Sequence, residues 1–200
     1  MIIKIGKLVY FILKNLKHTG RFKMDFTEKT IEKNYVFKGK ILSVRSDDVL
    51  LFNGERAKRE IVEHSGGAAV LCVQEGKALL VRQFRYAYKE EVLEIPAGKL
   101  EKGEDPKQAA MRELLEEGGI VAERIEPMLV LYPSPGYTNE KIHIYFCSVG
   151  KKTAQHLDEG EFLSAEWIAL EELKILLREG KIQDAKTVAA LQAYFLRETK

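Results

Sequence analysis

The sequence predicts an α+β or layered α/β/α fold. Three observations predict it: a first half rich in alternating, β-branched segments, a middle that mixes strand, helix and strand, and a helical C-terminal end. Residues 34–63 alternate in the strand manner, and "VLLFNGERAKREIVEH" carries Asn53-Gly54, the pair a tight hairpin turn favours because its central residues need positive φ. "GGAAVLCVQEGKALLVRQFR" reads as two strands joined at Glu75-Gly76-Lys77, and "EVLEIPAG" as a short strand stopped by Pro96. A helix over 106–117 follows. Asp105 suits its N-cap, Pro106 its first position, Gln108 the capping-box spacing, and Gly118-Gly119 its end. "IEPMLVLYPSPG" and "KIHIYFCSV" are strands around a Pro/Gly-rich loop at 133–136, and "EFLSAEWIAL" is another. One helix covers about 170–179. A last one starts at Asp184, with Val188, Leu191 and Phe195 on one face.

Bulk properties exclude several function classes. With 200 residues, the chain fits one domain or one domain with a small appendage, and 46% hydrophobic and 31% charged residues are ordinary for a soluble protein. A net charge of +2 gives no footing for nucleic-acid binding. Cys72 and Cys147 lie in apolar, strand-like runs, neither in a CxxC pair nor near a histidine cluster, so they read as buried thiols of a reducing cytoplasm rather than zinc ligands. The stretch "MIIKIGKLVYFILKNLKHTGRFK" is basic and amphipathic, with Ile5, Leu8, Val9, Ile12, Leu13 and Leu16 on one helical face. It falls well short of the roughly 20 apolar residues of a membrane span and lacks a signal-peptide cleavage pattern. It fits a membrane-surface helix, a helix docked on a partner subunit, or an extension ahead of a natural start at Met24.

The chemistry concentrates in "GKLEKGEDPKQAAMRELLEEGGI", residues 98–120. Glu113, Glu116 and Glu117 crowd one short helix, although like charges three or four residues apart cost about 0.2–0.5 kcal/mol per pair. Glu113 and Glu117 are at i and i+4 and point the same way, and Arg112 at i−4 from Glu116 can hold that carboxylate. Ala110, Leu114 and Gly118 form a stripe that can pack on a sheet, flanked by Met111 and Leu115. A solvated face is the plain alternative, but a solvated face needs no glycines at fixed distances around it. Carboxylate oxygens are hard ligands for Mg²⁺ or Mn²⁺, and a divalent ion offsets the crowding.

These residues resemble the Nudix box, G-x5-E-x7-R-E-U-x-E-E-x-G-U with U aliphatic, at every defined position: Gly98, Glu104, Arg112, Glu113, Leu114, Glu116, Glu117, Gly119 and Ile120. The flanks "EIPAGKLE" and "SPGYTNE", a proline (Pro135) sixteen residues after Gly119, the acidic "DEGEF" at 158–162, and "GKIQDAKTVAALQAYF" are similar to the ADP-ribose pyrophosphatase branch. The resemblance covers about residues 35–197. It implies a Nudix-type α/β/α sandwich with a mixed sheet, preceded by a small antiparallel β region, and a division into the extension 1–23, an N-terminal β region 24–65 for dimerisation and substrate contacts, and a hydrolase domain 66–200. It implies Mg²⁺-dependent hydrolysis of the pyrophosphate of ADP-ribose to AMP and ribose 5-phosphate, by a cytoplasmic homodimer.

The resemblance also assigns roles. Glu113, Glu117, the backbone of Ala97 and Glu161 are implied metal ligands. Glu159 is the implied general base, with Asp158 as competitor, and Glu116 and Arg112 complete the catalytic set, Glu116 either as a further ligand or as the partner of Arg112. Glu104 braces the loop, while Gly98 and Gly119 meet backbone requirements. Arg85 and Arg82, with Arg59 ahead of Arg56, are the implied phosphate and substrate contacts, and Tyr35, Phe37 and Tyr137 are candidates to stack on adenine. Two alternatives stay open: another nucleoside diphosphate sugar such as GDP-mannose, and a Nudix-like sensor that binds ADP-ribose without cleaving it. Sensors usually lose box glutamates, and this box is intact.

Overall fold

The structure, a computed structural model, describes residues 25–198; the extension 1–23, with its candidate amphipathic helix, lies outside the described residues. The described chain divides into two compact units, residues 25–34 with 46–59, and residues 35–45 with 60–198. In the first unit, β1 (Lys29–Glu32) pairs antiparallel with the second half of β3 (Leu42–Leu50), Lys29 opposite Leu50 and Glu32 opposite Asp48. The chain turns at Asn53-Gly54, although Asn53 does not take the positive φ that a two-residue hairpin turn needs at both central positions. Gly54 takes φ 85°, and the Asn53 side chain accepts from the Glu55 amide at 3.0 Å. In the second unit, β2 (Tyr35–Lys38) pairs with the first half of β3, Tyr35 opposite Arg45. The strand β4 (Arg56–His64) pairs with β3 and leads into the main sheet.

That sheet has seven strands: β5 (Gly67–Gln74), β6 (Lys77–Arg85), β7 (Glu90–Glu94), β8 (Ala97–Lys99), β9 (Ile120–Leu131), β10 (Ile142–Lys152) and β11 (Leu163–Ala169). The order is β11-β6-β5-β10-β9, with β7 on β6 and β8 on β5. The β5–β10 pair is parallel and the remaining pairs are antiparallel, which makes the sheet mixed. The β5–β6 turn has positive φ at both Glu75 and Gly76 (51° and 71°), the twist a two-residue hairpin requires. Pro127 sits in β9, at the end of the strand order, where a missing N–H leaves a ladder bond unmade only on an edge.

Three helices, α1 (Pro106–Gly118), α2 (Leu170–Arg178) and α3 (Ala185–Glu198), complete the unit. Buried side chains of the central strands divide between two cores by the period-2 alternation of a pleated strand. Ala69 and Leu71 of β5 join Leu80, Ile95, Ile144, Leu173, Ala190 and Leu191, beneath α2 and α3. Ala68, Val70 and Cys72 join Leu79, Ala109, Ala110, Leu114 and Cys147, beneath α1. A strand covered on both faces must be apolar throughout, as "GAAVLCV" is. The result is the expected α/β/α sandwich.

The ends of α1 match the sequence expectation. Asp105 caps it by accepting from the amides of Lys107 and Gln108, and Gly119 closes it at φ 62°. The buried stripe differs from the predicted one. It runs Ala109, Ala110, Glu113, Leu114 and Glu117, while Met111 and Leu115 are only half-buried. The helix is rolled so that two glutamates face inward, a rotation apolar periodicity alone could not reveal. Two short strands escaped the sequence reading, β1 and β8, the latter because Pro96 looked like a terminator. The strand after α1 also begins earlier than "IEPMLV", directly at Ile120. Leu114 is fully buried between the two inward glutamates, so Leu114→Ala should cost about 2–5 kcal/mol of unfolding free energy in urea titrations.

Candidate active site

The site is built where the short strand β8 crosses α1. β8 pairs with β5, Gly98 opposite Ala68, and presents its backbone to the inward face of the helix. The Ala97 amide donates to Glu117 Oε2 at 2.9 Å. Gly98 lies against Glu113 so closely that a Cβ there would overlap the Glu113 carboxylate. The expectation of a backbone requirement at Gly98 is thus corrected: its φ is ordinary, and the need is for space. Gly119 does meet the backbone requirement, and a Cβ on it would also come 2.6 Å from the Thr153 carbonyl oxygen.

Arg112 organises the carboxylates. Its guanidinium donates to both oxygens of Glu104, Nε to Oε1 at 3.0 Å and Nη2 to Oε2 at 3.1 Å, and through Nη1 to Glu113 Oε1 at 2.7 Å and Glu116 Oε2 at 3.0 Å. One cation therefore holds three acids. The hydrogen bond from Arg112 keeps the Glu104 carboxyl below its ordinary value, as suits a brace. The inward pair behaves oppositely. Burial pushes Glu113 up despite Arg112, and it pushes Glu117 up to about 8. The charges of Glu113 and Glu161 add to the rise at Glu117, and the Ala97 amide only partly opposes it.

The acidic loop is brought over this cluster by a segment the sequence reading passed over. After β10, Thr153 and His156 donate their amides to the carbonyls of Gly119 and Glu116, at 2.7 and 2.9 Å, and the Gln155 side chain donates to the Glu117 carbonyl. These bonds occupy carbonyls that the end of α1 leaves without partners. Only their lack of any charge or periodic pattern hid these residues. The chain then turns at Gly160 (φ 82°), with the Glu161 amide on the Asp158 carbonyl at 3.0 Å. Asp158 and Glu161 line a cavity of about 790 Å³ together with Ala97, Gly98, Lys99, Arg112, Glu113 and Glu116. Glu159 is exposed and is not among its lining residues.

A second cavity, about 550 Å³, is lined by Arg85, Tyr88, Tyr137, His64, Glu94 and Lys186 among others. A third, about 220 Å³, shares Arg85, Lys186 and His64 with the second and Ala97, Gly98 and Lys99 with the first, so the three form one run. The structure thus gathers Ala97, Arg112, Glu113, Glu116, Glu117 and Glu161 at one end of the run, and Arg85 and Tyr137 at the other. Arg82 instead pairs with Glu166 at 3.0 Å on the β6–β11 surface, and Arg59, in the first unit, pairs with Glu28. Tyr35 donates to Glu63 at 2.8 Å, and Phe37 is exposed. The sequence reading did not single out Glu94 or Lys186. Both are buried and lie close together, yet they are 92 residues apart in sequence.

Residues 63–191 match the family model of the NUDIX domain, and residues 28–62 match that of the nucleoside diphosphate sugar hydrolase N-terminal domain. The chain belongs to the Nudix family. It is a Nudix hydrolase, with the carboxylate cluster on the helix that carries the box. It is 43% identical over 176 residues to a methanol dehydrogenase activator of Bacillus methanolicus, covering 86% of this chain and 95% of that one. It is 42% identical over 174 residues to an ADP-ribose pyrophosphatase of Bacillus subtilis, covering 86% and 94%. In fold it is similar to a crystal structure titled ADP compounds hydrolase, with TM-score 0.75 at 23% identity, covering 88% of this chain and 96% of that one.

Nudix hydrolases generally need a divalent metal, and the donors present fit one. They are carboxylate oxygens, hard ligands throughout, and the deepest of them, Glu117, is held so far from ionisation by burial and like charge that a cation is what would relieve it. As the side chains stand, no three acidic, histidine or cysteine groups among the described residues converge closely enough to share an ion; Arg112 holds Glu113 instead.

Two outcomes follow from this geometry. Gly98→Ala should displace the Glu113 carboxylate and lower turnover roughly a hundred-fold, the scale of an ångström-level misplacement, while the urea midpoint moves little. The second concerns pH. The folded-state value of Glu117, about 8, lies above its ordinary 4.5, so between these values the folded chain keeps a proton that the unfolded chain has lost. Stability therefore falls as pH rises through that window. Melting temperature without divalent ions should rise on going from about pH 8 to about pH 6, and Glu117→Gln should flatten that slope.

Proposed function

We propose that this chain hydrolyses the pyrophosphate bond of ADP-ribose to AMP and ribose 5-phosphate, with Mg²⁺ as its metal. The observation that carries the reading is the pair of inward carboxylates, Glu113 and Glu117, beside a cavity that continues past β8 to the cationic Arg85 and the aromatic Tyr137. The relative from Bacillus subtilis named ADP-ribose pyrophosphatase supports the choice of substrate.

Mg²⁺, when bound, supplies charge neutralisation at the pyrophosphate oxygens and acidifies the attacking water. Glu113 and Glu117 would hold it, with Glu161 and the Ala97 backbone completing the set and Glu116 shared with Arg112. Arg112 orients the carboxylates, and Arg85 binds a phosphate. Tyr137 offers an aromatic face to the base. The base that takes the proton from water comes from the loop 158–161. Resemblance favours Glu159, whereas lining the cavity favours Asp158 and Glu161. The reading includes a cytoplasmic homodimer joined through the region 24–65, with Arg59 as a substrate contact. Two buried free thiols are in keeping with a reducing compartment.

A panel of ADP-ribose, GDP-mannose, NADH and diadenosine polyphosphates with Mg²⁺, its products separated by chromatography, tests the reading. AMP should appear fastest from ADP-ribose. Preference for another compound would discard the substrate and keep the hydrolase. Glu117→Gln should lose most turnover with the fold intact, because an amide is a poor ligand for a hard cation. Of Glu159→Gln, Asp158→Asn and Glu161→Gln, the base variant should lose the rise of kcat with pH while still binding metal, which calorimetry with Mn²⁺ reads.

A further inference from the structure

Behind Arg85 lies a charged network that none of the roles above uses. Glu94, at the end of β7 and only 3% exposed, accepts from Arg85 at both oxygens, Nε to Oε1 at 2.5 Å and Nη2 to Oε2 at 2.7 Å. Lys186, on the first turn of α3 and 8% exposed, donates to the same Glu94 Oε2 and to Asp184 Oδ1 at 3.1 Å. Asp184 caps α3, its other oxygen accepting from the Thr187 amide at 2.9 Å and hydroxyl at 2.5 Å. The Thr187 hydroxyl in turn accepts from the Ile95 amide at 2.8 Å. Helix α3 is thus bolted to the segment 94–95, two residues before the Ala97 amide that holds Glu117.

The geometry of the network gives it a task. Arg85 with Glu94 alone would rest on one carboxylate held by no other group. Lys186 shares the Glu94 carboxylate and is itself matched by Asp184, so the four charges balance and the carboxylate that grips Arg85 is anchored to α3. A buried charge pair with excellent geometry also holds its partners in one rotamer. Arg85 Nη1 makes no hydrogen bond among the described residues, and Arg85 lines both the second cavity and the short one that joins it to the carboxylates. Burial of Lys186 without this purpose would cost free energy that an apolar side chain would not.

We propose that Lys186 is a positioning residue for diphosphate binding: through Glu94 it fixes the Arg85 guanidinium at the wall of the cavity. The inference rests on the reading of Arg85 as a phosphate contact. A two-by-two cycle tests it, with Lys186→Met and Arg85→Ala, alone and together, and with Lys186→Arg as the charge-keeping control. ADP affinity, read by calorimetry, does not depend on turnover, so the inference can fail while the hydrolase reading stands, and the reverse. Lys186→Met should weaken ADP about ten-fold in the parent and less than about two-fold in the Arg85→Ala background, as expected of residues acting as a unit. Lys186→Arg should recover most of the affinity. On whichever panel substrate is cleaved, KM should rise more than kcat falls. Equal losses in both backgrounds, unchanged ADP affinity, or failure of Lys186→Arg to recover binding in a chain of parental melting temperature would each overturn the proposal. If Lys186→Met does not fold, Glu94→Gln takes its place in the cycle, and additive losses with Arg85→Ala would overturn it equally.

Discussion

Two carboxylates turned into the protein interior are the constraint on which the rest of the site depends. An ionised group taken out of water costs several kcal/mol unless it is paired or loses its charge, and Glu117 has one backbone amide for support. The fold accepts this because the same helix turn carries Leu114, whose burial anchors α1 on the sheet. Apolar packing thereby fixes the direction of two side chains that would, left to themselves, face solvent. The glycine at position 98 is the counterpart on the other side, since any side chain there would occupy the carboxylate's own volume.

The second consequence of this arrangement is a contrast in how the buried acids along the cavities are paired. At one end Arg112 is outnumbered by the acids it touches, so that end is anionic and suited to divalent ions. Past β8, Arg85 and Lys186 meet Glu94 and Asp184 in equal number. Burial opposes ionisation of Glu94, yet its bonds to Arg85 and the charge of Lys186 hold its carboxyl below the ordinary value. Two buried glutamates of one small domain are therefore pushed in opposite directions, Glu117 up by burial and like charge, Glu94 down because Arg85 and Lys186 bond it directly.

Much of this was legible in the sequence, and the parts that were not share a cause. Turn chemistry at Asn53-Gly54 and Glu75-Gly76, the Asp105 cap and the Gly119 stop are local, so a single sequence reveals them. The box residues could be named because spacing on one helix fixes which side chains point together. The roll of α1 was not legible: glutamates read as solvent-facing until a sheet is known to lie beneath them. The strand β8 was hidden by Pro96, and the bracket Thr153, Gln155 and His156 by its ordinary composition. Glu94 and Lys186 were out of reach because their pairing joins distant segments of chain, and neither residue type signals burial. Arg85, the one the resemblance matches to a phosphate contact, and Arg82 also differ in their partners, Glu94 and Glu166.

The parallel pairing of β5 with β10 determines when the site can exist at all. Gly67 meets Ile142, and every residue of the box lies between them in the chain. During synthesis, at about 5–20 residues per second, β10 follows β5 by an interval on the order of ten seconds. The hairpin of β5 with β6, and the helix α1, can form within that wait. The apolar edge of β5 cannot be covered until β10 arrives, and pairings between distant segments are the slow step of folding. A chain released early would carry the box glutamates above a half-built sheet, without the loop that carries Glu161. Assembly of the carboxylate cluster is therefore a late event in the life of each molecule, and its appearance reports that the central strand has found its partner.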